Sequence, residues 1–122
     1  MTTRSGDGEP TQITEPLRVL VICGAGASST FVSLWMRAAA AARGHRVIVT
    51  ASSTSALADD AVGADVVLVG PHLADQYDAI AEELARIRVA AALLPESVIR
   101  ERSGDAALDI ALAAADDASR VK

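Results

Sequence analysis

Cys23 is the one cysteine of the 122-residue chain, and it stands where the apolar run Leu17 to Ile22 gives way to Gly24-Ala25-Gly26-Ala27-Ser28-Ser29-Thr30. A strand that ends in a glycine-rich loop and a helix delivers such a thiol to the carboxyl edge of a sheet. The free N–H groups of the first helical turn then point back at the sulfur. The positive end of the helix dipole adds to those amides, so the expected chemistry is a thiol of lowered pKa able to carry a phosphoryl dianion. A free cysteine can also close a strand merely as a small buried hydrophobe. The two glycines and three consecutive hydroxyl residues that follow favour a nucleophile in a phosphate cradle.

Spacing separates the kinds of cradle. A dinucleotide site takes G-x-G-x-x-G with an acidic residue about 20 positions further on. Gly24 and Gly26 fit, but Ser29 holds the third glycine position and the second strand ends in Val49-Thr50-Ala51 without a carboxylate. A nucleotide P-loop ends in Gly-Lys-Ser/Thr, and the loop has no lysine. Low-molecular-weight cysteine phosphatases share the strand, loop and helix, but clamp phosphate with an arginine at the position that Ser29 occupies here. They also need a placed acid, for which Asp75 is the one nearby candidate. What the residues fit best is a thiol that accepts a phosphoryl group and passes it on without hydrolysis, with backbone amides and the hydroxyls of Ser28, Ser29 and Thr30 holding the phosphoryl oxygens. A phosphatase relative is the second reading. A regulatory or redox-sensing domain that keeps the fold without transfer is the third.

The elements that must place this loop alternate four times between short β-branched runs and helical patterns, which predicts a parallel sheet with crossover helices. Strands are expected at Leu17 to Ile22, about His45 to Ala51, Asp65 to Val69 and about Val89 to Leu94. The first helix, about Ser28 to Arg43, puts Phe31, Leu34, Trp35, Ala38 and Ala42 on its sheet-facing side, with Gly44 as its left-handed exit. Ser52 to Ser55 offer hydroxyl caps to a short helix reaching about Ala61. After Gly70-Pro71, a third helix is expected in which Leu73, Tyr77, Ile80, Leu84 and Ile87 step by fours and threes. Ser97 to Ser103 reads as a polar loop, and a last helix, about Asp105 to Ser119, packs Leu108, Ala111, Leu112 and Ala115 along one side. Right-handed crossovers give the strand order 2-1-3-4 in a three-layer α/β sandwich, flavodoxin-like and similar to low-molecular-weight phosphatases. Its switch point lies between the first and third strands. The Cys23 loop and the Gly70-Pro71 turn both end there.

Composition narrows the classes. A chain of this length fits one domain, here residues 17–122, preceded by a polar tail over residues 1–16 that contains two glycines and two prolines. Half of the residues are apolar but only Phe31, Trp35 and Tyr77 are aromatic, so the core must be aliphatic. A net charge of −5 offers no basic stripe for nucleic acid. No apolar run approaches the roughly 20 residues of a spanning helix, and no internal disulfide is possible, so a cytoplasmic protein is expected. Asp59-Asp60 and Asp116-Asp117 lack a third ligand at metal spacing and read as solvated helix faces; no metal and no cofactor is expected.

The run Val19-Leu20-Val21-Ile22-Cys23-Gly24-Ala25-Gly26-Ala27-Ser28-Ser29-Thr30 resembles the active-site segment of the lactose/cellobiose-type IIB component of the bacterial phosphoenolpyruvate-dependent sugar phosphotransferase system. Asp65-Val66-Val67-Leu68-Val69-Gly70-Pro71 is similar to that family's third strand and turn. The resemblance implies a phosphotransferase whose cysteine takes phosphate from a phosphohistidine of the IIA component and gives it to a sugar held by the membrane IIC permease. Such a domain is peripheral to the inner face of the membrane when docked. Carried onto this chain, Cys23 is the nucleophile, Gly24, Ala25, Gly26, Ala27, Ser28, Ser29 and Thr30 are the phosphate loop, and Gly70, Pro71 and His72 are the neighbouring wall. His72 replaces a frequent glutamine, and Glu96 is followed by no tyrosine where the family tends to have one. Arg37 and Arg43, expected on the outer side of the first helix, are candidates for meeting an acidic IIA surface.

Overall fold

The computed structural model describes residues 16–23 and 27–120. The expected tail, Pro16 apart, and the loop residues 24–26 lie outside the described residues. β1 (Leu17–Ile22), β2 (Val47–Ser52), β3 (Val66–Val69) and β4 (Ala90–Leu93) form one parallel sheet in the order β2-β1-β3-β4. One α-helix follows each of the first three strands, α1 (Ala27–Arg43), α2 (Leu57–Asp60) and α3 (Tyr77–Arg86), and two follow the fourth, α4 (Glu96–Arg100) and α5 (Gly104–Arg120). A 3₁₀ turn, Thr54–Ala56, leads into α2, and two 3₁₀ turns within Pro71–Gln76, joined at a kink at Leu73, lead into α3.

Strand side chains alternate between two cores because successive residues point to opposite faces. Val19, Val21, Cys23, Val66 and Leu68 pack with Val32 and Met36 of α1, Val98 of α4 and Leu108 of α5. Leu20, Ile22, Val67 and Val69 pack on the other side with Leu57, Leu73, Ile80 and Leu84. β3 is buried along its whole length, which is why it is valine and leucine throughout. Each edge of the sheet is finished by a helix side chain. The Arg37 guanidinium donates to the Val49 carbonyl on β2 through Nε at 3.1 Å and an Nη at 2.6 Å, and the Tyr77 hydroxyl donates to the Ala91 carbonyl on β4 at 3.1 Å. Edge carbonyls so occupied are poor templates for another strand.

Four local expectations need correction. On α1 the sheet-facing residues are Ser29, Val32, Ser33, Met36 and Ala40, whereas Phe31 and Leu34 are 55% and 50% exposed and Ala38 and Ala42 face outward. Trp35 is half-buried and lies in stacked contact with Phe31, centroids 6.5 Å apart. The helix lies close on the sheet, and the small side chains at 29, 33 and 40 are what permit that approach. Residues 97–103 are not a plain loop: α4 forms after Pro95, driven by burial of Val98 and half-burial of Ile99. The serines before α2 make no side-chain cap; Ser53 meets Ser55, and Ser52 bonds Asp60. Ile87 stands just past α3, as its C-terminal cap rather than within the helix, and is exposed.

The exit of α1 follows expectation. Gly44 takes φ +72°, its N–H reaches the Ala41 carbonyl at 3.3 Å, and the His45 N–H reaches the Ala40 carbonyl at 2.9 Å, the paired bonds of a Schellman ending.

Candidate functional site

β1 carries Cys23 one residue beyond its last paired position, at the carboxyl end of the sheet. On its β3 side the pairing Ile22↔Val69 is followed by Cys23 and Gly70, and the Gly70 N–H closes onto the Ile22 carbonyl at 2.8 Å. The next strand is fastened the same way, the Leu94 N–H donating to the Val69 carbonyl at 2.8 Å. The floor under the cysteine is therefore a lattice of strand ends that cannot shift separately.

The sulfur packs directly on Gly70. A Cβ built there would lie 2.6 Å from Cys23 Sγ, 3.3 Å from Cys23 Cβ and 3.3 Å from the Ile22 carbonyl oxygen. Pro71 confines the residue before it to extended geometry, and Gly70 has φ −65° and ψ 154° accordingly. The Gly70 carbonyl then accepts the Leu73 N–H at 3.0 Å, which starts the 3₁₀ turn carrying His72, an exposed residue.

On the other side of Cys23, α1 begins at Ala27 with no acidic residue in its first turn, so no carboxylate of that turn offsets the positive end of its dipole. Ser29 is 1% exposed, and its hydroxyl donates to the Ser52 carbonyl at 3.2 Å. Since Ser52 pairs with Ile22 across β1 and β2, this bond anchors the start of α1 to the sheet beside the cysteine. Ser52 in turn donates from its own hydroxyl to Asp60 at 2.5 Å. Sequence reasoning treated Ser52 as a helix cap and missed this brace. The signal available was its position at the end of the strand beside β1. Ser33 bonds back to the Thr30 carbonyl at 2.7 Å within α1, and Thr30 is exposed.

One electrostatic expectation is reversed. Cys23 is 1% exposed, and burial pushes its thiol above the ordinary value of 9.0 rather than lowering it. A reachable, acidified sulfur was expected; the described surroundings instead hold a neutral thiol. Of the expected phosphate loop, Gly24, Ala25 and Gly26 lie outside the described residues, as do the side chains of Ala27 and Ser28. Of the expected wall, Gly70 touches the sulfur, Pro71 is half-buried beside it in sequence and His72 faces outward. Arg37 and Arg43, set aside for a partner, are engaged within the molecule: Arg37 on β2, and Arg43 with Asp109 at 2.8 Å and Asp105 at 3.3 Å. Among the described residues no three His, Cys, Asp or Glu side chains gather as metal ligands, and no helix is long and apolar enough to cross a membrane.

Residues 18–101 match the family model described as the lactose/cellobiose-specific IIB subunit of the phosphotransferase system. No curated protein is similar enough in sequence to match. Solved structures that share the fold include two IIB domains. The lactose-specific IIB component domain from Streptococcus pneumoniae superposes with a TM-score of 0.74 at 20% identity, over 82% of this chain and 98% of that one. The cellobiose-specific phosphotransferase IIB component from Borrelia burgdorferi does so with a TM-score of 0.70 at 18% identity, over 84% and 94% respectively.

Proposed function

From the premise that this chain belongs to the lactose/cellobiose-specific IIB family, a phosphotransfer component of sugar uptake, we propose that it is a cytoplasmic phosphoryl carrier. It takes phosphate from a IIA phosphohistidine onto Cys23 and passes it to a sugar bound by a membrane IIC permease. The observation that carries this reading is the placement of Cys23: it directly follows β1 at the switch point of the sheet, four residues ahead of the start of a 17-residue helix. Ligands of open parallel sheets gather at that crevice.

Transfer runs in two displacements. In the first, Cys23 Sγ attacks phosphorus, the P–N bond to the IIA imidazole breaks, and the proton of the resting thiol ends on the departing nitrogen. In the second, a sugar hydroxyl attacks phosphorus, the P–S bond breaks, and the hydroxyl proton ends on sulfur. Nothing is oxidised or reduced. The N–H groups at the head of α1 stabilise the charge on the three equatorial oxygens in both transition states. Burial holds the resting thiol protonated, so the first displacement requires Sγ to give up its proton as it attacks. Gly70 and Pro71 form the opposite wall, with His72 beyond them.

The test is intact mass after incubation with phosphoenolpyruvate, the two general carrier proteins and a IIA protein of the lactose or cellobiose class. The expected result is one added phosphoryl group on the wild type and none on Cys23→Ser. Release of inorganic phosphate from an aryl phosphate without an adduct would establish a phosphatase instead. Ready sulfenate or disulfide dimer formation, with neither phosphate result, would mark a redox domain.

A further inference from the structure

We infer that Gly70 is a positioning residue for Cys23: the missing side chain at the end of β3 is the seat that fixes where the sulfur lies, and this role rests on the carrier reading only in what the seated sulfur is for. Glycine is commonly retained for backbone angles closed to other residues. That reason does not operate here. With φ −65° and ψ 154°, Gly70 sits in the extended region open to every L-residue, and Pro71 favours the same region for whatever precedes it. The geometry allows a side chain; the space does not. A Cβ would stand 2.6 Å from Sγ, far inside contact distance, while the next obstacles, Cys23 Cβ and the Ile22 carbonyl, are at 3.3 Å.

Backbone adjustment offers little relief, because the Gly70 N–H is bonded to Ile22 at 2.8 Å and its carbonyl to Leu73 at 3.0 Å. The adjacent Val69 carbonyl is held by Leu94 at 2.8 Å. With the strand ends so fastened, it is the cysteine side chain that must yield. A methyl group at position 70 moves the sulfur off the strand end, out of the core it shares with Val21 and Val32, and away from its set distance to the head of α1. A displacement of order 1 Å at a reacting atom can lower a rate about a hundredfold.

Two measurements that need no partner test the seat. In Gly70→Ala, Cys23 is expected to react with iodoacetamide several-fold faster at neutral pH, and its rate profile to shift to lower pH as burial is relieved. Leu84→Ala, which opens the core on the far side of the sheet, serves as the reference for a gain in reactivity caused by loss of stability alone. The second measurement is a denaturation cycle: Gly70→Ala should lower the unfolding midpoint of the wild type clearly, and that of Cys23→Ala much less, since removing Sγ empties the contested space. An unchanged alkylation profile, a gain no greater than that of Leu84→Ala, or strict additivity in the cycle would overturn the seat. A third readout connects it to function: adduct formation from phosphorylated IIA should fall roughly tenfold to a hundredfold in Gly70→Ala. Should the wild type form no adduct, the carrier reading falls while alkylation and the cycle still decide the seat.

Discussion

Among the described residues two glycines, Gly70 and Gly104, are pressed against neighbours, and they are pressed against different things. Gly70 faces a sulfur, the movable end of a side chain, 2.6 Å from where its Cβ would be. Gly104, the first residue of α5, faces the main chain of α1: its Cβ would lie 2.1 Å from the Trp35 carbonyl oxygen and 2.4 Å from the carbonyl carbon. The first contact sets a reactive atom. The second sets how closely two helices approach, at a helix head that the Ser103 hydroxyl caps by accepting the Ala106 N–H at 3.1 Å. The difference is between a contact that a second substitution can release and one that no side-chain change can reach.

The largest effect is therefore expected at Gly104. Gly104→Ala forces α5 off α1 along a contact that also buries Ala107, Leu108 and Ala111, and the loss should be about 3 kcal/mol or more by denaturant titration. Trp35→Ala should not rescue it, because the obstacle is a peptide carbonyl. Cys23→Ala should rescue Gly70→Ala, whose own cost is placed at about 1–3 kcal/mol. Rescue of both variants, or of neither, would dissolve the distinction between site and scaffold glycines.

How much of this was legible in the sequence differs between the two regions. The strand order followed from alternating β-branched runs and the handedness of crossovers, so the meeting of Cys23 and Gly70-Pro71 at one sheet edge could be read in advance. That Gly70 touches the sulfur could not. It depends on the register Ile22↔Val69, and in one dimension Gly-Pro reads only as a turn. The inward face of α1 was misread for a physical reason as well. The helix is apolar nearly all the way round, so Phe31, Leu34 and Ala38 satisfy helical spacing as well as Val32, Met36 and Ala40 do. Proximity to the sheet and the Gly104 contact decide between them, and both are tertiary. The reversed thiol shift has the same origin: loop and helix suggested acidification, while burial of Cys23 beside Val21 and Val32 is a property of the packed layers.

That burial makes the site side of the comparison sensitive to pH. The folded state holds the Cys23 thiol above its ordinary value of 9.0, and the unfolded chain does not. Below the ordinary value both states are protonated and the stabilisation is complete. As pH rises past it, the unfolded chain loses its proton first, and stability falls until the raised folded-state value is passed. Unfolding free energy of the wild type should accordingly decline on the alkaline side relative to Cys23→Ala, which carries no such group. Gly70→Ala, with its sulfur nearer solvent, should show a shallower decline. Gly104→Ala should keep the wild-type slope at lower overall stability. Equal slopes in wild type and Cys23→Ala, measured by urea titration from neutral to alkaline pH, would show that the thiol is not held neutral by the fold.

The smallest effect belongs to a glycine with open space around it. Gly44 has φ +72°, and nothing lies within 4 Å of where its Cβ would be, so its requirement is conformational where those of Gly70 and Gly104 are spatial. Gly44→Ala should cost about 1 kcal/mol, the usual strain of a left-handed L-residue at a helix exit, and Gly44→Asn less, since asparagine tolerates that region. Neither replacement approaches the sulfur, because position 44 closes α1 at the end opposite to its start near Cys23. Alkylation rate and phosphoryl transfer should both stay at wild-type values. Each of the three glycines then has its own signature: stability without rescue at 104, reactivity with rescue at 70, and a modest stability change graded by backbone preference at 44. If Gly44→Ala changed the reactivity of Cys23, the head of α1 would have to respond to strain at its far end, and the sulfur's position could no longer be assigned to the contact with Gly70 alone.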